Sequence, residues 1–192
     1  MIDLLVIILY TLALLVIFIY SLSQLHLLIN YFKALKSTDT AEKFNFEATD
    51  EYPYVTIQLP LYNEEYVVER LLNNIARIEY PREKLEIQVL DDSTDDSVNI
   101  TSKLIKGLRQ EGLDIQHICR ETRTGYKAGA LKEGLKIARG EYIAVFDSDF
   151  VPGKNWLKQT LPYFKNSRIG VVQTRWGHLN RDYSLLTRIQ AF

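Results

Sequence analysis

The segment VFDSDF, residues 145–150, ends an apolar run with two aspartates one residue apart. Side chains of an extended strand repeat every second residue, so Asp147 and Asp149 project to one side if the strand persists through them. Two carboxylates about 5 Å apart repel by roughly 3 kcal/mol at an effective dielectric near 20. A proton, a basic side chain or a bound cation must offset that. Hard divalent cations prefer oxygen ligands and are commonly held by one or two carboxylates plus substrate phosphates. The D-x-D pair suits such a shell. Taken by itself, it equally suits a strand-end turn with exposed acids.

Three further polar segments bear on the choice. In DDSTDD, residues 91–96, Ser93, Thr94 and Asp95 suit a helix cap, which accounts for Asp95 and Asp96. Asp91 and Asp92 precede the cap, where a carboxylate can accept from a ribose hydroxyl or a base N–H, and ligand contact is expected of both. In LPLYNEE, residues 59–65, Asn63 suits a turn, and Glu64 and Glu65 fall where negative charge favours a helix start. Tyr62 suits stacking on a base or an exposed turn. In TRTGYKAGA, residues 122–130, Lys127 at a helix start joins free backbone N–H groups as a phosphate cradle. Arg120 and Arg123 are expected to be solvated loop charges. Acids for a metal, a lysine for phosphate and acids plus an aromatic for a nucleoside together fit a nucleoside diphosphate bridged by a divalent cation.

The elements that must position these loops alternate along the chain. Runs at 55–59, 86–90, 114–119, 142–146 and 170–174 are predicted strands. Helical spacing links Val67, Val68, Leu71, Leu72 and Ile75, then Val98, Thr101, Ile105 and Leu108, then Ala128, Leu131, Leu135 and Ala138. A fourth helical pattern from Trp156 is predicted to break at Pro162. Such alternation predicts a mostly parallel α/β sheet, whose ligands bind beyond the carboxyl ends of the strands. All four polar segments fall at those ends.

A net charge of −1 argues against nucleic acid as the partner. The single cysteine, Cys119, has no partner for a disulfide, and no Cys/His spacing suggests zinc. His117 and His178 have no partners at metal spacing. From Leu4 to Phe32 the chain carries no Asp, Glu, Lys or Arg, so residues 1–32 are predicted to be a retained transmembrane helix, with His26 interfacial. Residues 33–52 read as a linker. Lys33, Lys36 and Lys43 follow the span and predict a cytoplasmic catalytic domain.

The motifs LPLYNE, VLDDSTDD, GYKAGAL, VFDSDF and VQTRW, in this order, resemble glycosyltransferase family 2 over residues 52–192. They look most like its membrane-bound cellulose-synthase-like branch, close to glucomannan, β-mannan and β-glucan synthases. The resemblance implies a GT-A fold over residues 53–192, a nucleotide-sugar donor such as UDP-glucose or GDP-mannose, Mg2+ or Mn2+, and inversion at the anomeric carbon. By the same resemblance Tyr62, Glu64, Asp91 and Asp92 map to nucleoside recognition, Lys127 to the diphosphate, and Asp147 and Asp149 to the metal and donor site. The family's catalytic base belongs to a later T-E-D-like motif, expected beyond Phe192. Asp182 lies in the wrong context for it. Gln173, Arg175 and Trp176 have one spacer residue where the acceptor motif Q-x-x-R-W has two. The sheet is therefore expected to be incomplete at its C-terminal side.

The expected activity is hexose transfer to a β-glycan acceptor by a membrane-anchored enzyme, of which this chain holds the donor half. Single-sugar transfer to a lipid acceptor and nucleotide-sugar binding without turnover are the alternatives. A receiver-type signalling domain also combines acids and a lysine on an α/β sheet, but the order of those residues here differs.

Overall fold

The structure, a computed structural model, describes residues 2–36, 51–175 and 177–191. The chain divides into two compact units, residues 1–43 and 44–192.

The first unit holds α1 (Ile2–Lys36). Its stretch Asp3–Lys33 is apolar on every side. A helix apolar all round needs an apolar surround. At 1.5 Å per residue it extends about 46 Å, more than the roughly 30 Å of a bilayer interior. Two of its hydroxyls are satisfied within the helix: Thr11 donates to the Ile7 carbonyl (2.8 Å) and Ser21 to that of Ile17 (2.9 Å). His26 is paired with Asn30 one turn on, Nε2 to Nδ2 3.0 Å. Most of the predicted linker lies outside the described residues; its first four residues continue α1.

The second unit is built on a parallel sheet of β1 (Val55–Leu61), β2 (Leu85–Asp91), β3 (Ile115–Cys119) and β4 (Tyr142–Val145), in the order β3-β2-β1-β4. The helices between them are α2 (Val68–Ile75), α3 (Ser97–Gln110) and α4 (Tyr126–Ile137), followed by α5 (Trp156–Thr160) and α6 (Leu185–Gln190). β1 runs on through Pro60 because its ladder to β4 stops at Gln58, so no partner needs the N–H that proline lacks.

The two faces of the sheet differ in kind. Val55, Ile57, Leu59, Ile87 and Val89 meet Val68, Leu71, Leu72 and Ile75 of α2 and Ile105 and Leu108 of α3 in one apolar core. On the other face Thr56, Gln58, Glu86 and Gln88 are at most 2% exposed. That face is covered by the small residues Ala130 and Gly134 of α4. A Cβ at Gly134 would stand 2.7 Å from Gln58 Nε2 and 2.8 Å from Leu90 Cδ2, so a larger residue would require those side chains to shift. The predicted inner face of this helix is thereby corrected. Leu135 is exposed, because the close approach over buried glutamines selects small residues rather than apolar periodicity.

Residues 170–174 form no strand, against expectation. They run beside the outer edge of β4 across a groove of about 320 Å³ without making a ladder, and Val171 is 82% exposed. The break at Pro162 is as expected: α5 ends at Thr160 and a 3-10 turn covers residues 161–165.

Candidate active site

Three strand ends and the loop before α4 open onto one cavity of about 530 Å³, lined by Tyr62, Glu64, Asp92, Arg123, Lys127, Asp147, Ser148 and Asp149. Each reaches it for a local reason. Asn63, after β1, takes a left-handed backbone (φ 55°), which asparagine tolerates. Its side-chain oxygen accepts from Thr94 N (2.9 Å), and its own N–H donates to Ser93 Oγ (2.9 Å). The loops after β1 and β2 are thus stitched together, with Tyr62 and Glu64 on one side and Asp92 on the other. Backbone N–H groups of Val67 and Val68 cap onto the Glu64 carbonyl, which leaves its carboxylate to the cavity.

β4 ends at Val145, so the strand does not persist through the D-x-D. A turn closed by Phe150 N to Asp147 O (3.1 Å) follows, and both carboxylates still face the cavity. The charge on Asp147 is met by Lys127, whose ammonium donates to its Oδ1 across the cavity. Of the three ways to offset the carboxylate repulsion, the protein alone uses the basic side chain.

Strand alternation separates the paired acids after β2. Asp91 is the last strand residue, and its side chain is fully buried on the face away from α4. It accepts from Ser93 N (3.0 Å) and pairs with His117 Nε2 (2.8 Å). Burial pushes its carboxyl up, but the hydrogen bonds from His117 and Ser93 outweigh burial and hold it below the ordinary value. Asp92, one residue on, turns to the cavity. His117 thus has partners the sequence did not disclose: Asp91, 26 positions away, and Cys119, whose Sγ is 3.5 Å from Nε2.

Arg120 and Arg123 are not solvated loop charges. Arg120, its side chain 12% exposed, forks onto Asp92 through Nε (2.8 Å) and Nη2. It also donates to the Thr124 and Tyr126 carbonyls (2.9 and 3.0 Å), tying the β3–α4 loop to β2. Gly129 makes room for this clasp, since a Cβ there would fall 2.0 Å from the Thr124 oxygen. The Arg123 guanidinium lies 3.3 Å above the Tyr62 ring centroid, its Nε 4.0 Å from Asp92. The only trace of this in the sequence is the cationic pair just before GYK. Trp176 lies outside the described residues.

The lining sets four carboxylates (Glu64, Asp92, Asp147, Asp149) against two cations (Arg123, Lys127). Carboxylate oxygens are the donors that hard divalent cations take, and the surplus of negative charge suits such an ion at Asp147 and Asp149.

A parallel α/β sheet carrying a D-x-D and a basic loop on one carboxyl-end rim has the architecture of a GT-A nucleotide-sugar domain. The sequence profile of glycosyl transferase family 2 matches residues 56–190, and the chain belongs to that family. It is 41% identical over 145 residues to the probable glucomannan 4-beta-mannosyltransferase 7 of Oryza sativa subsp. japonica, which covers 73% of this chain and 25% of that protein. It is 39% identical over 166 residues to glucomannan 4-beta-mannosyltransferase 2 of Arabidopsis thaliana, covering 81% and 31%. The chain thus spans about a quarter to a third of the length of these relatives. Among solved structures, the mannosyltransferase PcManGT from Pyrobaculum calidifontis, in complex with GDP-Man and Mn2+, superposes with a TM-score of 0.60 at 29% identity, over 81% of this chain and 44% of that one.

Proposed function

We propose that this chain carries the donor half of a membrane-anchored inverting glycosyltransferase. It would take a hexose from a nucleotide sugar, GDP-mannose before UDP-glucose, and pass it to a β-glycan acceptor. The observation that carries the reading is the charge of the cavity at the strand ends. With Arg120 forked onto Asp92, the four carboxylates still outnumber the cations Arg120, Arg123 and Lys127, which suits a diphosphate accompanied by a dication. The mannosyltransferase names of the relatives, and GDP-Man in a related structure, favour mannose.

In this reading Tyr62 and Arg123 form the flat wall on which the base stacks, and Glu64 and Asp92 accept from the nucleoside. Asp91 acts from beneath, holding the loop through Ser93. Lys127 sits where it can exchange Asp147 for a phosphate oxygen. Asp147 and Asp149 would hold Mg2+ or Mn2+, which when bound neutralises charge on the leaving diphosphate. The acceptor hydroxyl attacks the anomeric carbon from the face opposite the diphosphate, which inverts the centre. No residue of this chain is assigned to take the hydroxyl proton. Helix α1 would anchor the enzyme, residues 33–52 would link it to the catalytic unit, and Lys33 on its flank favours a cytoplasmic site.

Calorimetric titration of the full chain in detergent, with GDP-mannose or UDP-glucose and with Mn2+, Mg2+ or a chelator, tests this. Metal-dependent binding of GDP-mannose, weaker for UDP-glucose, is expected. Binding of neither nucleotide sugar with metal present overturns the reading.

A further inference from the structure

Asp91, His117 and Cys119 stand together at the end of the sheet, on the face away from α4. The parallel register sets Asp91 beside Cys119, and His117, two residues earlier on the same strand, shares their face. One oxygen, one nitrogen and one sulfur lie within 4.8 Å of one another. A single ring nitrogen, His117 Nε2, faces both the Asp91 carboxylate (2.8 Å) and the Cys119 sulfur (3.5 Å). As an N–H it serves the carboxylate but cannot accept from the thiol. As a bare nitrogen it accepts from the thiol but turns its lone pair on the carboxylate. The N–H tautomer serves the carboxylate and leaves the sulfur only as a weak acceptor of the same hydrogen, whereas a cation between them serves all three.

We propose that Asp91, His117 and Cys119 form a zinc site, distinct from the D-x-D. The donor sets discriminate, because thiolate and imidazole favour zinc while the oxygens of Asp147 and Asp149 favour Mg2+ or Mn2+. Tetrahedral zinc sets a bound nitrogen and sulfur about 3.5 Å apart and a bound nitrogen and oxygen about 3.3 Å apart, from its usual bond lengths. The first separation is already present, and the second needs the carboxylate to retreat by about half an ångström. Asp91 keeps its other oxygen on Ser93 N, which orients the ligating one. His117 and Cys119 are partly open to solvent, so water can take the fourth position. β3 is an edge strand whose one ladder partner among the described residues is β2. Zinc would staple those two strands where the loop bearing Arg120 and Arg123 departs toward α4.

The test is a cobalt titration of the chelator-stripped full chain in detergent. One equivalent of Co2+ is expected to produce thiolate-to-cobalt charge transfer and tetrahedral ligand-field bands, and one equivalent of Zn2+ to bleach them. Cys119→Ser should abolish the charge transfer, and His117→Ala should weaken binding at least about tenfold. Asp147→Asn and Asp149→Asn should leave the bands unchanged. No thiolate band, saturation at half an equivalent per chain, or a cobalt affinity unchanged by His117→Ala overturns the site. A second readout needs no variant: Zn2+ should slow alkylation of Cys119 by iodoacetamide at least about tenfold, as expected when a thiolate is committed to a metal. An unchanged alkylation rate with Zn2+ present also overturns it.

Discussion

At the strand starts the buried Glu86 carboxylate accepts from Thr56 Oγ1 (2.6 Å), Gln116 Nε2 (3.1 Å), and Arg139 N and Nε (2.9 and 3.1 Å). At the strand ends Asp147 meets Lys127 and is 44% exposed, and Asp149 is exposed beside it. Both ends combine acids with basic side chains. The first is closed, with every acceptor direction filled by its own chain, so the charge serves the fold. The second is left partly open, with more acid than base, so it has capacity for a ligand.

The largest effect that distinguishes the two ends is expected at the closed one. Glu86→Ala strands the Thr56 hydroxyl and an Arg139 N–H, and should lower unfolding stability by about 3 kcal/mol. Denaturant melts measure it, and a loss below about 1 kcal/mol would show that the network is dispensable. At the open end Asp149→Ala should leave those melts unchanged yet weaken Mn2+-dependent binding of GDP-mannose by about 100-fold, read by calorimetry. Equal loss of stability in both variants would erase the contrast. Arg123→Ala removes the plane stacked on Tyr62 and should weaken the same binding by about tenfold, with Arg123→Lys recovering little.

The gentlest probe is pH. Burial raises the Glu86 carboxyl, but hydrogen bonds from the Arg139 backbone, Thr56 and the Arg139 side chain outweigh it, and the group sits below its ordinary value. A carboxyl lowered by folding stabilises fully above its unfolded pKa and loses that contribution as pH falls through its folded one. The difference in melting temperature between the wild type and Glu86→Gln should therefore shrink from about pH 6 to about pH 3, below the ordinary glutamate range. A constant difference would contradict the lowered value.

The four strands and the apolar faces of α2 and α3 were legible because each is written in local periodicity. Val68, Leu71, Leu72 and Ile75 repeat at helical spacing and are all buried where that spacing puts them. α4 was misread because its inner face is chosen by proximity to Gln58 and Gln88, which hydrogen-bond at 3.0 Å in a layer that local sequence does not reveal. GVVQT had strand composition without a ladder.

By itself, the sequence determined the element order, the apolar N-terminal helix and the placing of acids, lysine and tyrosine at strand ends. Those follow from side-chain types and short-range spacing. Only the tertiary structure decided which of these residues share a cavity. It turned Asp92 inward and Asp91 away, laid Arg123 on Tyr62, and set Lys127 against Asp147. It also brought His117 and Cys119 to Asp91, because the register between β2 and β3 is set by packing across the sheet and by no residue near either in the chain.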